Sequence, residues 1–98
     1  MKFRLVILSN AQNEMADAVD WYELQQPKLG MRFITFMERF FNRIVENPFL
    51  FPEKNPPFRE AHVKAFPYLV IYQIRGEDVV VYSVFHTSRN AKNWENKL

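Results

Sequence analysis

With 98 residues and 11.8 kDa the chain has room for one domain, residues 1–98, and one core. Hydrophobic content of 48% with 24% charge excludes intrinsic disorder, and the absence of cysteine excludes disulfides, thiolate metal sites and Cys nucleophiles. Thirteen basic and eleven acidic residues give a net charge of +2, too little to announce a nucleic-acid protein from the total. Residues 2–8 begin alternating and end as an apolar run, which predicts a largely buried strand. That run is too short for a signal peptide and no segment is long enough to span a bilayer, so a soluble cytoplasmic domain is expected.

Ser9 or Asn10 offers a helix N-cap, with Gln12 completing a capping box from Ser9. In the helix that follows, Ala11, Met15, Ala18, Val19 and Tyr22 share one stripe of about 100°. Glu14, Asp17, Asp20 and Glu23 rotate by about 60° from one to the next, too divergent for a metal site, and read as a solvated face. Trp21 and Leu24 lie off the stripe and are candidates to dock under a loop or to meet a partner protein. Pro27 and Gly30 break the helix. A second helix, about 29–46, carries an apolar arc of about 180° from Leu29 to Val45, wide enough to be buried against both the first helix and a sheet. The two form a helical hairpin.

Residues 47–58 hold four of the six prolines, a density that predicts no regular element. Strands are expected at about 59–66, 68–75 and 79–86, followed by a short helix over Ala91–Leu98. The fold class is therefore α+β in the order β-α-α-β-β-β-α, with the hairpin on one face of a largely antiparallel four-stranded sheet. A turn at Gly76–Glu77 sets residue 74 opposite 79 and 72 opposite 81, and one at Phe66–Pro67 sets 61 beside 72. Alternation then places Arg59, Ala61, Val63, Tyr68, Val70, Tyr72, Val79, Val81, Ser83 and Phe85 toward the helices. The reverse face collects His62, Lys64, Leu69, Ile71, Arg75, Val80, Tyr82, Val84 and His86, with Arg89 and Lys92 beyond its edge. Leu69, Ile71, Val80 and Val84 would form an apolar centre there, to be covered by a partner.

His86 is a natural proton shuttle near neutral pH, and Arg89, three residues on, supplies a guanidinium for phosphate oxygens. With Lys64 and His62 on the same face, a phosphodiester could be held and its leaving oxygen protonated without a metal. The bland alternative is that His86 caps a backbone group and the bases solvate a sheet edge. Two histidines without His-x3–5-His spacing argue against a zinc site, and two glycines against Gly-rich phosphate loops, so no metal or cofactor is expected.

The segments Asp20-Trp-Tyr-Glu, Leu29-Gly-Met-Arg-Phe, Phe66-Pro-Tyr-Leu-Val-Ile-Tyr and Val84-Phe-His-Thr-Ser-Arg-Asn-Ala-Lys-Asn-Trp closely resemble the RelE/ParE toxin superfamily over essentially the whole chain. The resemblance implies a bacterial type II toxin, also described as a plasmid stabilisation toxin, neutralised by a cognate antitoxin in a heterotetramer or larger complex. RelE-like members cleave messenger RNA on the ribosome without metal, and ParE-like members poison DNA gyrase. On the RelE-like expectation, taken here as the main one, His86, Arg89, Lys64 and Arg59 are catalytic, and His62, Arg75, Tyr82 and Lys92 bind substrate. Trp21, Leu24, Leu69, Ile71, Val80 and Val84 would contact partners. The tail carries Trp94 but lacks the Tyr that many RNA-cleaving members bear, which leaves gyrase as the alternative target.

Overall fold

The computed structural model describes residues 2–88. Its elements are β1 (Arg4–Ile7), α1 (Ser9–Gln25), α2 (Leu29–Glu46), β2 (Glu53–Asn55), β3 (Phe58–Val63), β4 (Tyr68–Arg75) and β5 (Asp78–His86). The expected C-terminal helix, with Arg89 and Lys92, lies outside the described residues. One mixed sheet has the order β1-β5-β4-β3-β2, with β1 parallel to β5 and the other neighbours antiparallel. The sheet therefore has five strands rather than four. The added strand, β2, falls in the proline-rich segment: Glu53–Asn55 is a proline-free interval at the sheet edge, where flanking prolines interrupt no central ladder.

Both helices form where the apolar periodicity places them. Ala11, Met15, Ala18 and Tyr22 are buried from α1, and Phe33, Met37, Phe40, Phe41 and Ile44 from α2. They pack on Ala61, Val63, Tyr68, Val70, Tyr72, Val79, Val81 and Val84 of the sheet. Tyr22, Phe33, Phe66 and Tyr68 make an aromatic knot with centroid separations of 5.1 to 6.2 Å. Each such pair contributes about 0.5–1.5 kcal/mol beyond its buried area.

The helix starts differ from expectation. Ser9 is already helical, the cap position is Leu8 without a side-chain bond, and Gln12 Nε2 instead donates to the Ile7 carbonyl at 2.8 Å. β1 is exposed rather than buried, because it has a neighbour on one side only. Two of the four α1 acids are also engaged. Glu23 accepts from the backbone N–H of Lys28 at 2.8 Å and of Gly30 at 3.0 Å, holding the start of α2. Glu14 reaches β5, as described below.

The β3–β4 register is Arg59 with Tyr72 and Val63 with Tyr68, two residues from the expected pairing, so each residue keeps its face. In β4–β5 the expected pairs hold at first: Ile74 faces Val79 and Tyr72 faces Val81. The next pair is Ile71 with Ser83, leaving Tyr82 as an extra residue in a β-bulge. Beyond it the alternation is reversed. Val84 moves into the helix-side core, His86 pairs with Tyr68, and Phe85 joins Leu69 and Ile71 on the reverse face.

Candidate functional site

The bulge sits where β1 ends. Leu8 N–H donates to the Val81 carbonyl at 3.0 Å, after which the chain turns into α1 and β5 has no strand beside it. Two α1 side chains continue the ladder. Asn10 Nδ2 donates to the Tyr82 carbonyl at 3.1 Å, and Glu14 Oε1 accepts from Val84 N–H at 3.0 Å and from Ser83 Oγ at 2.7 Å. Backbone groups that an edge would otherwise expose are thereby satisfied.

This arrangement disperses the residues that sequence grouped. His86 lies on the helix side, half-buried, its ring edge-on to Tyr68 at 5.4 Å and its Nδ1 receiving Ser88 N–H at 3.2 Å. The expected position of His86 on the reverse face is thus overturned by the one-residue bulge. His62 and Lys64 are exposed and line a cleft of about 340 Å³ against α2, with Phe36, Phe40, Arg43 and Phe51. β4 separates β3 from β5, so the β3 end and His86 stand two strand spacings apart, about 10 Å.

Arg59 is a structural anchor. Its Nη1 donates to the Phe51 carbonyl at 2.7 Å, and its guanidinium lies 5.3 Å from the Phe49 ring centre, pinning the proline-rich loop. The buried Tyr72 donates to the Pro48 carbonyl at 2.6 Å from the same side. Burial pushes the Tyr72 phenol up to about 12, against a smaller opposite effect of Arg59, so this tyrosine is a hydrogen-bond post rather than a proton donor. On the reverse face the Tyr82 hydroxyl donates to Gln73 Oε1 at 3.0 Å and its ring stacks edge-on against Phe58. Arg75 is exposed at the far end of β4.

The partner candidates divide as well. Trp21 and Leu24 are exposed, at 42% and 85%. Leu69, Ile71 and Val80 do share the reverse face, but they are buried at 7%, 0% and 7%, and Phe58 packs on the cluster that Leu69 and Ile71 form with Phe85. Val84 is not on that face at all. The expected open apolar centre is therefore not an exposed patch. Sequence reasoning also missed Met31, exposed at 68%, and a row of bases that starts at the N-cap of α2 and follows the helix. The signal was present in the spacing of Lys28, Arg32, Arg39 and Arg43. Among the described residues no group of His, Asp and Glu could hold a metal ion, and no helix is long and apolar enough to cross a membrane.

The fold is similar to that of a chain from the chromosomal ParDE TA system from P. aeruginosa, with a TM-score of 0.78 at 11% sequence identity, covering 87% of this chain and 96% of that one. No curated protein sequence matches it. The family model for the ParE toxin of the type II toxin–antitoxin system parDE matches residues 5–91. The chain belongs to the ParE toxin family of type II toxin–antitoxin systems.

Proposed function

We propose that the chain is a growth-inhibiting toxin that acts by protein contact on DNA gyrase in the cytoplasm and is held in check by a cognate antitoxin. The observation that carries this reading is the dispersal of the described members of the RNA-cleaving set. Arg59 is bound to the Phe51 carbonyl, Lys64 and His62 border the cleft beside α2 at the end of β3, and His86 rests against Tyr68 on the helix side. Metal-free cleavage requires such groups to converge on one scissile phosphodiester, each acid or base within hydrogen-bond reach of its own proton. Family membership points the same way. The exposed Trp21 and Leu24 supply the apolar contact that a protein target requires.

A supercoiling assay with purified gyrase tests this reading. The full chain should inhibit, Trp21→Ala with Leu24→Ala should weaken inhibition at least tenfold, and His86→Ala should leave it within about twofold. Absence of inhibition at saturating toxin would overturn the proposal. So would codon-internal cuts in translated messenger RNA that disappear in His86→Ala.

A further inference from the structure

Lys28, the N-cap residue of α2, and Arg32, Arg39 and Arg43 within the helix are all exposed. At 100° per residue the three arginines fall within an arc of about 40° and the rise from Arg32 to Arg43 is about 16 Å, with Lys28 just ahead of the first turn. They border two cavities. One of about 460 Å³ is lined by Lys28, Met31, Arg32, Thr35, Phe36 and Arg39; the other is the His62–Lys64 cleft. Phe36 is common to both, so the basic row continues without interruption from the start of α2 to the end of β3. No carboxylate lines either cavity. None of Lys28, Arg32, Arg39, Arg43 and Lys64 is in an ion pair among the described residues. Glu46, one turn beyond Arg43, closes the row, and the exposed Asp17 and Asp20 belong to the other helix.

We propose that this α2 track binds the phosphate backbone of duplex DNA. The cores of protein–protein interfaces are depleted in charge, whereas here charged side chains flank Phe36 along the whole length of the track. DNA-binding surfaces are more polar and much more positive. All three helix positions of the row are arginine, whose planar fork matches phosphate oxygens. The i, i+4 pair Arg39 and Arg43 advances about 6 Å along the helix, which suits contacts to consecutive phosphates. The contacts are to backbone only, so binding is independent of sequence. The +2 net charge conceals the track because α1 offsets it.

The test is fluorescence anisotropy of a labelled 20-base-pair duplex with the full chain from 50 to 200 mM NaCl, without gyrase, so its outcome is separable from that of the target proposed above. Five phosphate contacts predict a log–log salt slope of magnitude about 4–5, or a loss of about five hundredfold over that range. Arg32→Ala with Arg39→Ala should reduce the slope by about two, as should Arg43→Ala with Lys64→Ala. Lys54→Ala, on β2 and off the track, should leave it unchanged, and far-UV circular dichroism verifies folding of each variant. A wild-type slope below one, or equal slopes in wild type and both double variants, would overturn the proposal. Tighter binding of an oligoglutamate peptide than of the duplex would also overturn it and assign the track to an acidic protein segment.

Discussion

Single residues here do work that composition conceals. Tyr72 looks like one more core aromatic, yet its hydroxyl ties β4 to the Pro48 carbonyl, and burial raises its pKa from 10.0 to about 12. Because the folded state favours the protonated phenol, its contribution is fully present below pH 10 and is lost as pH rises through 12. Urea unfolding at pH 8 and pH 11.5 should show an alkaline loss on the order of 2 kcal/mol attributable to this group. Tyr72→Phe should lower stability at pH 8 by about 1–2 kcal/mol, through the unmet Pro48 carbonyl, and remove most of that alkaline loss. Equal pH dependence in both chains would refute the assignment. Arg59 was legible as a residue on the helix side of β3 but not as a loop anchor, since its partners, Phe49 and Phe51, sit in a segment without periodicity.

At the level of elements, α2 and β4 were readable almost to the residue, because an apolar arc of about 180° and a β-branched, aromatic run admit few alternatives. The bulge in β5 was not readable. No glycine marks it, and it is met by Asn10 and Glu14, more than sixty residues away in sequence. Glu14 looked like one of four solvated acids for the same reason. Glu14→Ala should strand the Val84 N–H and cost about 1–3 kcal/mol in chemical denaturation, whereas Glu14→Gln, which keeps an acceptor oxygen, should cost under about 1 kcal/mol. The hairpin depends on a second local device. A Cβ on Gly30 would lie 2.6 Å from the Val19 carbonyl oxygen and 3.1 Å from Val19 Cγ1, so α1 and α2 can approach only because position 30 has no side chain. Gly30→Ala should gain about 1 kcal/mol of helix propensity and lose more to the forced separation. A net loss of about 1–2 kcal/mol, seen as a fall in Tm of roughly 4–16 °C, is the expected outcome.

For the molecule as a whole, β4 and β5 carry a large core on one side and the smaller Leu69–Ile71–Phe85 cluster on the other. Since both clusters draw on the same strands, neither can melt alone. Far-UV circular dichroism and near-UV aromatic signals should trace one coincident urea transition, and separated midpoints would show the smaller cluster to be an independent unit. The candidate site was least legible at this scale. Residue types could be read directly, but which of them share a surface depends on counting along β5, and one added position changes every answer after it.

That added position has an evolutionary reading. Tyr82 acts as a parity bit for the end of the chain's last described strand: with it, the imidazole at 86 lies edge-on to Tyr68 on the helix side. A deletion of that single codon would turn the imidazole outward and send Phe85 inward in its place. Loss or acquisition of an outward-facing histidine on this scaffold therefore requires no change of any functional residue, only a change in the length of the strand that carries it.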